Sequence, residues 1–281
     1  MDRILNRSTS WYLINVKARR QQTIEHYVQA FRELYVEDPL IELSYGGRTC
    51  SLKNIVFSEI KDENEQPNWI KIGLLSYTII DPKAFYNRRS QEDITMDDWD
   101  EDVVANKKET ELYFVPSVHI MAVRCNSGIT LKNIIYYLSE ALNKIEPEAF
   151  DVDVIVEHDF LNRILNAHAI TQIYANFSYS NPGHTSGFKA VFDRKLREMN
   201  ANRIEIIATG SKDNPLNNED DGMLQSIVDL SERNGYIQAT IQETENGKFE
   251  KLDSSDHPRK LVIPRIINDV CTTIYNTLRN L

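Results

Sequence analysis

Short runs of β-type residues, set apart by turn signals and interrupted by a few helical stripes, constrain this chain more than any other feature of it. WYLINVK (11–17) is aromatic and β-branched and reads as a strand. Ile24, Tyr27, Val28, Phe31, Leu34 and Tyr35 then keep helical spacing, so a helix follows, and Pro39 ends it. LIELS and LKNIVFSEI flank Tyr45-Gly46-Gly47-Arg48, which predicts a hairpin, because adjacent glycines supply the positive φ of tight turns. WIKIGLLSYTII (69–80) is the next strand. LYFVPSVHIMAVRC (112–125) predicts another, bent at Pro116, since proline has no N–H to give to a ladder.

Thr130 can cap a helix whose Leu131, Ile134, Ile135, Leu138, Leu142 and Ile145 face inward. DVDVIVE (151–157) alternates as a strand, and Asp159 can cap a short helix carrying Phe160, Leu161, Ile164 and Leu165. A strand over 170–179, the loop NPGHTSG, a helix marked by the stripe Phe188, Val191, Phe192, Leu196 and Met199, with Phe188, Phe192 and Leu196 buried, and a strand over 203–209 follow. A helix from about Asp221 stops at Asn234-Gly235, where glycine accepts the left-handed conformation after a helix end. Residues 236–244 and 248–252 around Asn246-Gly247 predict a hairpin with a type I′ turn. Lys260 to Ile263 adds a strand, and Pro264 suits the first turn of a C-terminal helix.

This order predicts an α+β protein of two ferredoxin-like halves, 1–168 and 169–281, with helices packed on antiparallel or mixed sheets. No glycine-rich phosphate loop follows a strand, which argues against a doubly wound nucleotide fold.

Charge matters because it is local. The chain carries 32 Lys and Arg against 42 Asp and Glu, a net of −10. Nine acids against two bases lie between Glu92 and Glu111, and Glu219, Asp220 and Asp221 supply the rest. A polybasic arm or a uniformly basic domain is thereby excluded, while a local basic face is not. The stretch 81–110 has no apolar period and is expected to be a long surface loop, with a short helix near Met96 to Val103. Within it Trp99 stands among Asp97, Asp98, Asp100, Glu101 and Asp102, and a large aromatic among charges is a candidate anchor for a partner protein. The same segment could cover a basic groove, or simply keep the chain in solution.

Cys50, Cys125 and Cys271 are widely spaced with no CxxC pair, so neither a disulfide framework nor a zinc knuckle is expected, and the cytoplasm is the expected compartment. MDRILNRSTSWYLI lacks the apolar core of a signal peptide, and no stretch approaches the ~18 apolar residues of a membrane helix. No membrane association is expected.

SEIK with a Trp-led strand (59–80), then IDP, an acidic linker, LYFVPSVHIMA (112–122), a helix and VDVIVEHD (152–159) resembles an uncharacterised bacterial protein family of about this length, associated with mobile elements and phage-defence neighbourhoods. The family has no established active site, so no residue role is carried over. The resemblance implies a soluble bacterial protein with a role in defence or nucleic-acid metabolism.

Several side chains could carry chemistry. Glu59-Ile60-Lys61 is the Glu-x-Lys that metal-dependent nucleases place beside an upstream Asp, but residues 40–58 contain no aspartate. Arg163-x4-His168 has the spacing of some metal-independent RNases, though five residues turn a helix by about 500° and leave the pair ~140° apart. His119, flanked by apolar residues, has no Ser, Cys or carboxylate partner assignable by spacing, so a nucleophilic triad cannot be argued. Glu157, His158 and Asp159 are adjacent, but neighbours at a strand-to-helix junction point apart. No cofactor is expected; a divalent metal belongs only to the nuclease alternative.

For nucleic acid, two basic groups stand out. Lys17, Arg19 and Arg20 follow the first strand, with Trp11 and Tyr12 nearby. Lys189, Arg194, Lys195, Arg197 and Arg203 outnumber Asp193 and Glu198 on the later helix and its end. Such groups neutralise phosphates, and exposed aromatics such as Tyr174 stack on unpaired bases. The expected role is therefore a non-catalytic subunit that binds RNA, DNA or a protein partner in a defence-type system. A nuclease is the alternative, and a self-assembling homo-oligomeric scaffold a third.

Overall fold

The strand Ser8–Ala18 (β1) serves two cores. Ile14, Val16 and Ala18 enter one and Trp11 and Leu13 another, the two-residue period of a strand covered on both faces. The computed structural model describes residues 8–44, 47–96, 100, 102–178, 187–218, 222–264 and 269–281. After β1 comes α1 (Ile24–Glu37), whose N-terminus is capped where the Thr23 hydroxyl accepts from the His26 N–H. β2 (Ile41–Glu42), β3 (Thr49–Phe57) and β4 (Ile70–Thr78) follow, then the small hairpin β5 (Phe85–Asn87) and β6 (Glu92–Ile94). β7 (Ala105–Val115), β8 (Ile120–Val123), α2 (Leu131–Ile145) and β9 (Phe150–Val154) complete the first part. The second part is α3 (His158–Leu165), β10 (Ala169–Phe177), α4 (Gly187–Glu198), β11 (Ile204–Thr209), α5 (Met223–Asn234), β12 (Gly235–Gln242) and β13 (Glu250–Asp253). β14 (Lys260–Pro264) and α6 (Val270–Arg279) close the described chain.

The fold is α+β. One sheet runs β14-β1-β8-β7-β4-β3-β2, with β9 also on β1, beside Ile14 to Ala18 where β14 covers Ser8 to Tyr12. α1 and α2 bury Tyr27, Phe31, Leu34, Tyr137 and Leu138 on one face of it, and α6 sets Ile274 and Leu278 on the other. The second sheet runs β11-β10-β12-β13, its core filled from α3, α5 and Leu196 of α4. Every ladder among the described residues is antiparallel.

Several expectations need correction. In the second sheet the hairpin strand β13 lies at the outer edge and β10 fills the central slot, whereas a ferredoxin-like unit returns its hairpin strand between the two strands of the crossover. The second core begins at Val156, ahead of the expected junction at 168, and β14 and α6 go back to the first sheet. The segment expected as one long loop holds β5–β6, and from Ala105 it is a strand. Its Glu109 and Glu111 are held by partners on other strands, Glu109 by Lys53 at 2.8 Å and Glu111 by Lys71 at 2.6 Å, while Lys107 pairs with Glu109 along the same strand, and none is held by an apolar face. Asp100, Asp102 and Val103 are not helical.

Pro116 begins a 3₁₀ turn, not a bend, so 112–125 is a hairpin in which Leu112 faces Val123. Asp159 sits in the first turn of α3 and Glu157 is the cap residue. Gly235 is extended (φ 170°), not left-handed. A side chain there would strike the backbone of Asn176 and Phe177, so glycine is needed for the close approach of β12 to β10. The turn between β12 and β13 is longer than type I′, with neither Asn246 nor Gly247 at positive φ. α6 is capped by Asp269, not started by Pro264, which ends β14.

Candidate functional site

Odd-numbered residues of β1 change character along the strand. Trp11 and Leu13 pack beneath α6, whereas Asn15 and Lys17 turn a polar, fully covered face to the second part of the molecule. β9 continues that face, because Lys17 stands opposite Asp151 and Asn15 opposite Asp153 in the antiparallel register. From the other side come Asn176 and Ser178 at the end of β10, Asp193 of α4, Arg203 just before β11, and Asn234 at the end of α5. The result is a charged seam between the two cores.

Its contacts are specific. Lys17 Nζ donates to Ser178 Oγ at 2.6 Å. Arg19 clasps Asp151 through Nε and Nη2, at 3.2 and 2.9 Å, the fork geometry that suits guanidinium to carboxylate. Arg203 reaches Asp153 at 3.1 Å, Asn176 Oδ1 at 2.7 Å and Asp151 at 3.6 Å, so Asp151 is shared by two arginines. Asn15 donates to the Arg233 carbonyl at 2.8 Å, tying β1 to the last turn of α5. On α4, Arg197 pairs with the buried Asp193 at 3.6 Å, and Asp193 acts electrostatically on Lys17.

Burial sets the electrostatics. Desolvation brings the Lys17 ammonium down from 10.5 to about 8, against the pull of Asp151 and Asp153. It also pushes the Asp153 carboxyl up, opposed by Arg203. Burial disfavours the Arg203 cation too, but Asp153 beside it raises that group overall.

Members of the two basic groups of the sequence, about 170 residues apart, are thus brought to one seam: Lys17 and Arg19 from the first, Arg197 and Arg203 from the second. Lys17 is inside the molecule and Arg19 is mostly covered and paired, so neither presents a free charge to solvent as a phosphate contact would require. Arg20 is exposed. Arg194, Lys195 and Arg197 are exposed on α4, where Arg194 and Lys195 share Glu198 at 3.8 and 2.6 Å. Lys189 lies in α4, with its side chain outside the described residues.

The candidate catalytic residues sit in separate places. Glu59 and Lys61 are exposed after β3, where Lys61 bridges to Pro67. Arg163 is held by Glu243 at 2.7 Å and Glu250 at 2.8 Å, and His168 is exposed past the end of α3. His119 is in the turn between β7 and β8 at φ 60°, not within a strand. Its Nδ1 meets the Tyr27 hydroxyl at 2.9 Å. The same hydroxyl accepts from the Ala18 N–H at 2.9 Å. Asp97, Asp98 and Trp99 lie outside the described residues; Asp100 is exposed and accepts from the Asp102 N–H. Among the described residues no group of three or more His, Cys, Asp or Glu could hold a metal ion.

Asp151, Asp153, Asn176 and Ser178 were missed as a site. The signal was present: Asp151-Val152-Asp153-Val154 alternates acids with valines, which puts two carboxylates on one strand face. Only the register reveals that Lys17 is opposite.

A family model described as "Domain of unknown function (DUF4747)" matches residues 7–279. The chain belongs to the DUF4747 family. Both sheets and every member of the seam fall within the match, so the DUF4747 domain is the whole of the architecture described above. No curated protein matches this DUF4747 chain. None of its described helices is long and apolar enough to cross a membrane.

Proposed function

We propose that this protein is a non-catalytic nucleic-acid-binding subunit that contacts phosphates along the rim of the charged seam. The observation that supports this is that members of both basic groups, Lys17 and Arg19 from one and Arg197 and Arg203 from the other, act on three aspartates, Asp151, Asp153 and Asp193. The inner cations Lys17, Arg19 and Arg203 are spent on those carboxylates and hold the two parts of the molecule together. Arg20, Arg194 and Lys195 remain in solvent, where they can neutralise a phosphate backbone. The Glu198 partner of Arg194 and Lys195 is itself exposed, so a phosphate can displace it at little cost. A place in a bacterial phage-defence system fits such a recogniser, with the chemistry supplied by a partner.

Fluorescence anisotropy with labelled single-stranded and duplex RNA and DNA, at a series of salt concentrations, tests this. Replacing Arg20, Arg194 and Lys195 together by Glu is expected to abolish binding, and replacing them by Ala to flatten the salt dependence by roughly 2–3 in log–log slope. Unchanged affinity in the Glu variant overturns the proposal. Cleavage of the same probes with magnesium or manganese, lost in Glu59→Ala or His168→Ala, would establish the nuclease alternative instead.

A further inference from the structure

The first sheet has a second polar place. On the face that α6 only partly covers, Asn54 of β3, Gly73 of β4 and Glu111 of β7 stand in one row, and the Arg124 N–H bonds to the Glu111 carbonyl at 3.3 Å to extend it. Gly73, with no side chain, leaves room in the middle of the row for the Asn54 amide to lie across it. A Cβ there would run into the Asn54 side chain, so the glycine forms the floor of a trough. The groove above it encloses about 470 Å³, within the roughly 300–1,000 Å³ of small-molecule sites. Its lining runs from β3 across β4 and β7 to Arg124 just past β8, and it shares no residue with the seam.

Charge in this groove is arranged, not uniform. Lys53 is matched by Glu109 at 2.8 Å and Lys71 by Glu111 at 2.6 Å. Arg124 is exposed, lines the groove, and has no ion pair or side-chain hydrogen bond among the described residues. Three cations against two carboxylates leave one positive charge, and it resides on a planar guanidinium suited to a bidentate oxyanion. Both lysine–glutamate pairs are largely in solvent, where such pairs contribute little, so an entering ligand can separate them. Once separated, the carboxylates accept hydrogen bonds from hydroxyl or amino groups, and the two lysines add to the anion site.

We propose that the groove binds a nucleoside monophosphate, its phosphate on Arg124 and Lys71 and its ribose hydroxyls on Glu111 or Glu109. A simple dicarboxylate would use the cations and leave the glutamates facing a ligand with nothing to donate, and inorganic phosphate has its one or two P–OH donors on the same small ion that meets the cations. A nucleoside alone would lack the anion for Arg124. Of these ligands the nucleoside monophosphate alone carries both an oxyanion for the cations and clustered donors for the glutamates.

Isothermal titration of the intact protein with AMP, adenosine and inorganic phosphate tests the proposal. AMP is expected to bind more tightly than either fragment. Arg124→Ala should weaken AMP at least about tenfold, a loss in the range of charge-assisted hydrogen bonds, with Arg124→Lys recovering part of it. Glu111→Gln should weaken AMP while leaving inorganic phosphate unchanged. Arg124 is on the surface, so its removal should leave thermal unfolding of the free protein where it was, and this is to be measured alongside. No AMP binding at millimolar concentration, equal binding by the Arg124→Ala protein, or AMP no tighter than phosphate would each overturn the assignment.

Discussion

Lys17 gives the sharpest test of the seam. Its ammonium is wholly buried, and desolvation takes its pKa from 10.5 in the unfolded chain to about 8. Below pH 8 both states carry the proton, so pH has no leverage through this group. Between about pH 8 and 10.5 the unfolded chain still holds the proton that the native protein has released, and stability rises with pH wherever the unfolded state binds more protons. The full rise is on the order of 3 kcal/mol, at about 1.4 kcal/mol for each tenfold change in proton affinity. Other groups also titrate in this window, among them Cys125, whose thiol burial pushes up to about 11. The perturbation is therefore Lys17→Met, which keeps the stem and removes the titrating atom. Urea unfolding followed by tryptophan fluorescence, run on both proteins from about pH 7 to about pH 10, gives the difference in stability at each pH. That difference should move in favour of the native sequence by about 2–3 kcal/mol across the range. A constant gap would mean that water or a rearrangement of the seam keeps Lys17 near its ordinary pKa, and the account of a dry, charged junction would fail.

Arg203→Ala should cost about 3–5 kcal/mol, because it strands Asp153 and half of the Asp151 pairing in a covered site, and adding Asp153→Ala should return part of that loss in the same urea assay. Gly235→Ala should lower stability by about 1–3 kcal/mol or more even though its backbone is one any residue can adopt, since the new methyl would lie 2.6 Å from Phe177 Cα; Gly47→Ala, at φ 56° with open space around it, should cost only about 1 kcal/mol. Tyr137→Phe should be neutral or stabilising by up to about 1 kcal/mol, as the buried hydroxyl has no partner among the described residues, while Tyr27→Phe should be destabilising by about 1–2 kcal/mol because its hydroxyl serves Ala18 and His119.

Periodicity made most elements legible. α1, α2, α4 and α5 each carry an apolar stripe that repeats at the helical period, and Thr130 announced the start of α2 with the bond it makes to the Asn133 N–H. The first seven residues of β7 were not legible, because a strand held by lysine–glutamate pairs on exposed faces has no hydrophobic alternation to read. Pro116 and Gly235 interrupt regular structure as their chemistry requires, but with a different geometry from the one their sequence setting suggests. A proline excluded from a ladder can end a strand as well as bend it, and a glycine after a helix can serve close strand packing as well as a left-handed turn. The seam lay beyond sequence reading for a different reason. Its members come from β1, β9, β10, α4 and α5, and nothing in the order of residues says that Lys17 will meet Asp151 across a ladder or Ser178 from another sheet.

Why a protein with ample apolar residues should join its two cores through charges follows from what each kind of junction permits. Leucines and valines at Asn15, Lys17, Asp151 and Asp153 would be as stable or more so, since a buried ion pair seldom repays its desolvation. They would also tolerate sliding of one sheet over the other, because apolar contact is not directional. The fork of Arg203 on Asp153, the bond of Lys17 to Ser178 and that of Asn15 to the Arg233 carbonyl cross between the two parts and are satisfied in one register only, and a shift of a single residue would leave a buried carboxylate bare. The seam thus trades stability for a fixed relation between β1 and α4. The proposed phosphate contacts of Arg20, Arg194 and Lys195 depend on that relation, because cations carried by separate elements can match the spacing of phosphates only if those elements are locked together.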